Sequence, residues 1–509
     1  MKTKLIFFAL CSLSCLVSCQ KGEEEIPVDY TIAFIEPTIN VIAGGHKDLA
    51  DLLVFSPENS NAFKDVKFTV EQPAEKNILF IEENTQGVQI FLRTFQTGTA
   101  KLIATFGNLT ATCTVNVIGS PIIFESESVM LFVGDQKKIT ATVKPEDPQI
   151  EWYSSDERVA IVDNTGRVTA RAIGEATITV SANYVTGSFT VHVSPDVYVA
   201  GSVYLEGGTG LRAAYWKNNE DLAILASGSG VSHAYSVFVA DNKDVYVAGA
   251  EMTTGPTTVH AKLWKNGIEQ ILTKGTSSGA ATGVFVANGN TYVCGYESPA
   301  FFDERPNRAQ LWINGVAQNL TDGKRNANGL SVYVSGNDSY VAGYESNGRK
   351  DIAKVWKNKV DRSLTNGVNH AQAVSIFEAE GKVYASGYEI VNDKRVAKLW
   401  IDDTTQTLSD GTYDTYANSV FVANGIVYIV GYEIREGNHT QAILWKNGIR
   451  NDIESVGVAH SLYVYNEDVY IGANPNILML SAHIRKNGEW FLSLNPRNSS
   501  VYPNSIFVK

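Results

Sequence analysis

Cysteine is scarce in this chain and unevenly placed. Of the five, Cys11, Cys15 and Cys19 lie in the first 19 residues, and Cys113 and Cys294 stand alone far downstream. Such spacing excludes a disulfide framework and a cysteine-based zinc site. Positive charge is also short: 42 Lys and Arg face 54 Asp and Glu, a formal charge of −12, with no basic run after residue 4. That balance argues against nucleic acid as a partner. Beyond the N-terminus no stretch approaches the roughly 18 apolar residues that a membrane helix needs. The short catalytic signatures are missing too. There is no H-E-x-x-H and no D-x-D-x-D-G, and the eight histidines show no metal-ligand spacing. No cofactor and no metal are expected, and binding is a better expectation than catalysis.

What is present favours strands. Hydrophobic residues make up 44% and aromatics 10%, with 23 Tyr, 21 Phe and 42 Gly, which is ample for packed cores and turns. At ~150 residues per domain, 509 residues suggest about three domains.

The chain opens with Lys2 and Lys4, then an apolar run of 13 residues, 5–17, too short for a stable membrane helix but suited to a signal-peptide core. The run ends in Leu16-Val17-Ser18-Cys19, which resembles the lipobox of bacterial lipoproteins. The resemblance implies that 1–19 is a lipoprotein signal peptide and that Cys19 carries diacylglycerol, whose acyl methylenes bury ~0.8 kcal/mol each. Residues 20–27 form an acidic tether. Glu23-Glu24-Glu25 resembles the surface-export signal of some Gram-negative lipoproteins, so the expected location is the outer membrane, exposed at the cell surface.

Residues 119–195 contain Trp152-Tyr153-Ser154-Ser155-Asp156, then Val159-Ala160-Ile161-Val162, Gly166-Arg167-Val168-Thr169-Ala170 and Gly174-Glu175-Ala176-Thr177-Ile178-Thr179-Val180. The alternation marks half-buried strands, the glycines mark turns, and Trp152 can plug a sandwich core. The stretch resembles the bacterial immunoglobulin-like domain, group 2. Residues 28–118 read as a diverged copy, clearest at Gly98-Thr99-Ala100 and the alternation up to Val117. Such modules are expected to act as spacers.

From 196 to 509 the tryptophans set a period. Trp216, Trp264, Trp312, Trp356, Trp400 and Trp445 are 48, 48, 44, 44 and 45 residues apart, and Arg485 takes the seventh place. A strand-rich period of this length signals propeller blades. Asn-Gly pairs at 266–267, 288–289, 314–315, 424–425, 447–448 and 487–488 read as tight hairpins. First strands begin near Ser236, Gly283, Ser331, Ser375, Ser419, Ser461 and Ser505, whereas the region opens on a second strand, Val197-Tyr198-Val199-Ala200-Gly201. The C-terminal strand is therefore expected to complete the first blade. The expected fold is all-β: two immunoglobulin-like β-sandwiches, then a seven-bladed, four-stranded β-propeller closed by that strand. The layout resembles Kelch-like propellers in architecture. The Gly-Gly pair typical of Kelch is absent, since Tyr follows Gly, as in Gly295-Tyr296-Glu297, and no activity follows from the likeness.

Recurring residues carry little functional signal. Glu251, Glu297, Glu345, Glu389 and Glu433 occupy equivalent places and are expected to make one repeated contact inside each blade, with the Lys flanking the Trp. The tryptophans are expected to pack between blades. Two non-repeating features stand out. One is the loop Ser298-Pro299-Ala300-Phe301-Phe302-Asp303-Glu304-Arg305, where Phe301, Phe302 and Arg305 suit sugar stacking or a protein hot spot, with a counterpart at Ile477-Leu478-Met479-Leu480. The other is the channel mouth, where Tyr235, Thr282, Leu330, Val374, Asn418, His460 and Asn504 precede the first-strand positions. Asn418, His460 and Asn504 fall in adjacent blades and form an asymmetric polar patch. The resulting expectation is a lipid-anchored surface protein that binds a glycan or a surface protein. A propeller hydrolase or lyase using His460, Asp303, Glu304 or Arg305, and a protein-binding adhesin or scaffold, are the alternatives.

Overall fold

A computed structural model of the chain describes residues 30–509, apart from 44, 59–61, 84–89, 95–96, 120–121, 144–149, 183–184, 205–209, 219–220, 227–229, 253–257, 276, 300–304, 456, 476–481 and 495–499. The signal segment 1–19 with Cys19, the tether 20–27, and Phe301, Phe302 and residues 477–480 thus lie outside the described residues. Among the described residues the regular structure is strand, with two short 3₁₀ turns and no α-helix. The chain divides into two compact units, one ending at Ser194 and one spanning Pro195–Lys509.

The first unit holds two modules of one topology. In the second module Ser128–Phe132 runs parallel to Val185–Ser194, which pairs antiparallel with Gly174–Ala182, and that strand with Glu151–Ser154. A facing three-stranded sheet comprises Gln136–Lys138, Arg167–Ala170 and Ala160–Val162. The first module repeats this order, with Thr38–Ile42 parallel to Leu109–Ile118, then Gly98–Phe106 and Lys67–Glu71, facing His46–Asp48, Ile90–Thr94 and Leu79–Glu83. Alternating side chains fill each interior. Ile178, Val180 and Val191 are fully buried in one module, and Leu92, Leu102 and Val115 in the other. Trp152 packs on the edge of its core, and Gly166 is fixed by it: a Cβ there would lie 2.7 Å from the indole, at a φ of +80°.

The second unit contains seven four-stranded antiparallel sheets in succession. Every Asn-Gly pair named above is a tight hairpin with both residues at positive φ, 49–54° for Asn and 72–91° for Gly. In the turns between third and fourth strands the Asn has a second task. Asn266, Asn314, Asn447 and Asn487 accept, through Oδ1, the backbone N–H that opens the second strand of their own sheet, at 2.8–2.9 Å. The tryptophans lie between sheets. Trp264 packs on Tyr198, Ala200 and Ala213 of the preceding sheet, and Trp445 packs on Tyr384 and Ala397 and donates its Nε1–H to Leu408 O at 3.1 Å. Burying one such indole removes about 200 Å² from water, a gross ~5 kcal/mol that is an upper bound. Arg485 stands in the tryptophan register and stacks its guanidinium on Trp490, 5.2 Å from the ring centre.

The chain's last strand, Ser500–Val508, pairs antiparallel with Val197–Tyr204, the first strand of the unit. Counting this as sheet one, the innermost strands of sheets two to seven are Ser232–Val239, Ser278–Ala287, Ala327–Ser335, Ala371–Ala379, Asp414–Ala423 and Val458–Tyr465. Each carries one aromatic residue at the same position. Phe238, Phe285, Tyr333, Phe377, Phe421, Tyr463 and Phe507 make an unbroken circuit, every ring centre 4.5–5.0 Å from the next.

Candidate functional site

A β-bulge sits at one position in all seven inner strands. In sheet two, Ala234 pairs with Gly249 and Ser236 with Ala248, leaving Tyr235 as the extra residue. The same slip isolates Thr282, Leu330, Val374, Asn418, His460 and Asn504. A bulge re-aims the extra side chain away from the pleat. The seven re-aimed residues line one cavity of about 390 Å³, at or just before the midpoint of the inner strands. Asn418, His460 and Asn504 are therefore brought together.

The serine that follows each bulge joins the sheets. Ser505, Ser236, Ser331, Ser375, Ser419 and Ser461 each accept, through Oγ, a backbone N–H of the next inner strand at 3.1–3.4 Å. Sheet three breaks the series, with Gly283 in place of serine. Several bulged side chains also tie sheets together. Asn418 Nδ2 donates to Ala459 O at 2.8 Å, Asn504 Nδ2 to Ala234 O at 2.7 Å, and Thr282 Oγ1 to Gly329 O at 2.7 Å. The asparagines each retain a second amide hydrogen and a carbonyl oxygen.

His460 is held by a chain of bonds. Asn474 Nδ2 donates to Val501 O at 3.4 Å, which orients the amide so that its Oδ1 accepts the His460 Nε2–H at 2.7 Å. Burial pushes the His460 pKa down to about 4, so the ring is neutral at pH 7. His233, bonded to Ser202 Oγ at 3.0 Å, is lowered by burial as well.

Tyrosines stand beside the bulges in four sheets only, and of these Tyr432 lines the cavity. Beside the bulge, the second strands of sheets three to six carry Tyr296, Tyr344, Tyr388 and Tyr432; the same register holds Asn474, Ser202 and Ala250 in sheets seven, one and two. Tyr416 stacks on Tyr432 with centres 4.6 Å apart and planes 8° from parallel, and its centre is 5.8 Å from that of Tyr388. The Arg395 guanidinium lies over Tyr388 and Tyr416 at 5.4 and 5.2 Å. Tyr344 Oη accepts from Asn328 Nδ2 at 2.8 Å. Burial raises the pKa of all five phenols, to about 12 for Tyr344 and Tyr432, so every hydroxyl keeps its proton. This half-ring shows in the sequence only as the Tyr that follows Gly in the second strands.

Strand direction sorts the connections. The Asn-Gly hairpins follow the C-terminal ends of first and third strands, so they lie at the end of the sheets opposite the bulges. The longer connections after second strands lie at the bulge end. Among them is 299–307, where Arg305 is exposed. The repeated glutamates are engaged inside their sheets. Glu251 bonds Lys262, Glu345 meets Lys354 Nζ at 2.6 Å, Glu389 meets Lys398 at 3.6 Å, Glu297 accepts from Gln310 at 3.2 Å, and Glu433 takes a bidentate pair from Arg450 at 2.7 Å. The basic partner is two residues before the tryptophan in three of these sheets. No carboxylate ring is left for a cation, and among the described residues no His, Cys, Asp or Glu cluster could hold a metal ion.

A second cavity, of about 1050 Å³, lies at the hairpin end, lined by the aromatic circuit and by Asp241, Asp244, Lys265 and Lys509. Lys509 pairs with Asp241 and Lys265 with Asp244, each at 2.8 Å.

Residues 120–193 match the bacterial Ig-like domain (group 2) family. Among curated proteins the chain is similar to a lacto-N-biosidase of Bifidobacterium bifidum, 44% identical over 71 residues, which cover 13% of this chain and 6% of that protein. Across the curated relatives it matches, the chain spans 6–14% of their length. Among solved structures, TolB from Acinetobacter baumannii overlaps 55% of this chain and 76% of its own at 13% identity, with a TM-score of 0.34. A quinonprotein alcohol dehydrogenase-like protein from Bacteroides thetaiotaomicron overlaps 76% of this chain and 97% of its own at 12% identity, with a TM-score of 0.33. Overlaps this loose carry no functional argument.

Proposed function

We propose that the chain is a lipid-anchored surface protein of the outer membrane that binds a glycan at the bulge end of a closed seven-bladed propeller. Both modules of the first unit are immunoglobulin-like spacers in this reading, and Cys19 is the anchor. Seven successive sheets, the pairing of the last strand with the first, and the unbroken aromatic circuit support the closed propeller. One observation carries the choice of site: the seven bulged residues lie at or before the midpoint of the inner strands, and the longer, non-repeating connections stand at that end of the sheets, while the other end is built largely from uniform tight turns. Function is expected where repeats diverge on a rigid frame.

The protonation states favour binding over acid–base chemistry. A general acid or base works best with a pKa near the operating pH. The mouth instead holds a histidine near 4 and phenols raised above their ordinary range.

The test is retention of the full, detergent-solubilised chain on a panel of immobilised polysaccharides, with release of reducing ends followed in parallel. Retention without cleavage, weakened by His460→Ala or by Phe301→Ala/Phe302→Ala, is the expected result. Cleavage would replace this reading with a propeller hydrolase or lyase. Absence of retention on every polysaccharide would point to a protein ligand.

A further inference from the structure

We infer that the tyrosines of sheets three to six form the platform for an extended, neutral glycan of several sugar units, laid around the mouth rather than inserted end-on. This rests on the binding reading above.

A sevenfold repeat that needed tyrosine for packing would place it in every sheet. Here the register carries Tyr296, Tyr344, Tyr388 and Tyr432 in four successive sheets, and Asn474, Ser202 and Ala250 in the other three. The result is an arc over four of the seven sheets. All of these tyrosines are half-buried. A pyranose presents an apolar C–H face and a rim of hydroxyls, and the phenol presents a flat apolar face and a protonated hydroxyl, so the two match in both respects.

Rigidity supports the same choice. Tyr416 and Tyr432 are stacked, and Arg395 lies over Tyr416 and Tyr388, joining sheets five and six into one surface. Arg395 Nε is buried and makes no hydrogen bond. Preorganised side chains lose little entropy on binding.

The local charges cancel, which selects a neutral chain. Lys394 and Arg395 both face Asp414, at 4.0 and 3.8 Å, and Asp351 accepts from Gln372 Nε2 at 3.0 Å. The chain's formal charge of −12 further disfavours a polyanion. Extension follows from the length of the arc, since four sheets offer several successive stacking positions where an end-on ligand would meet one.

The experiment is calorimetric titration of the full chain with cello-, xylo-, manno- and laminari-oligosaccharides of two to six units. In at least one series, affinity should rise tenfold or more between two and four units and then level, with little change in 0.5 M NaCl. Tyr388→Ala and Tyr432→Ala should each weaken binding tenfold or more, while Tyr388→Phe, which keeps the ring, should cost only a few-fold. Unchanged unfolding temperatures would show that the variants fold. Binding that is flat with length, or indifferent to these tyrosines, would overturn the arc while leaving a glycan site elsewhere. A steep loss with salt would overturn the neutral class. No binding in any series would overturn the inference, and retention on the polysaccharide panel would then decide separately whether a glycan binds at all.

Discussion

Gly283 is the one gap in the serine circuit, and its neighbours allow the gap to be tested. In six sheets a serine Oγ accepts the N–H of the next inner strand; Val332 faces Gly283 and lacks that acceptor. A Cβ at 283 would stand 3.2 Å from Val332 N, close enough for a hydroxyl to restore the bond, but 2.9 Å from Cys294 Sγ. Cys294 pairs with Gly283 where alanine pairs with Ser236 and Ser331. Val430 is tolerated opposite Ser419, so the position of the sulfur rather than bulk alone sets the conflict. Gly283→Ser should therefore destabilise by about 1–2 kcal/mol through overpacking. Cys294→Ala should cost about 1 kcal/mol for the lost buried sulfur. The double variant gains a hydrogen bond of about 1 kcal/mol and about 0.5 kcal/mol from a stiffer unfolded chain, and should match or exceed the wild type. Coupling is then about 2–3 kcal/mol. Seven of the eight tryptophans lie in the second unit, so urea unfolding followed by tryptophan fluorescence reports mainly on that unit. Additive single effects, or a Gly283→Ser variant as stable as the double, would refute the reasoning.

Two further outcomes follow from buried charge. With a folded-state pKa of about 4 against 6.5 unfolded, His460 contributes stability that is complete above pH 6.5 and lost as the unfolded chain takes up protons between 6.5 and 4. His460→Gln should flatten the pH dependence of the unfolding midpoint across that window; an unchanged slope would sink the assignment. Lys262 and Glu251 are each less than a tenth exposed, so Lys262→Met leaves a buried carboxylate and should cost about 3–5 kcal/mol, most of it recovered in Lys262→Met/Glu251→Leu. Equal stability of single and double variants by thermal unfolding would contradict that.

Much of the fold was legible because repetition multiplies weak signals. One Trp or one Asn-Gly says little, but six Trp in one register and six Asn-Gly in two mark strand order and turn type, and Ser505 marks the strand that pairs back to Val197–Tyr204. The mouth was legible for a local reason: each bulge inserts one residue at a constant distance before the serine, so Asn418, His460 and Asn504 could be aligned by counting. What escaped was lateral. The aromatic circuit from Phe238 to Phe507 and the stacking of Arg395 on Tyr388 and Tyr416 join residues about 45 positions apart, or on different strands, and no spacing within one repeat encodes a contact between two. The bonds of Asn418 and Asn504 to the next sheet were hidden for the same reason, and show that the polar patch also ties sheets together.

The most direct test is hydrogen exchange of the full chain with and without saturating amounts of the polysaccharide that retains it. Protection is expected at the first halves of the inner strands and the adjoining tyrosines, residues 278–283, 296–298, 327–331, 344–346, 371–375, 388–390, 414–419 and 432–434. Protection confined to the hairpins at 266–267, 288–289, 314–315, 424–425 and 447–448 would place the ligand at the wrong end of the sheets and contradict it.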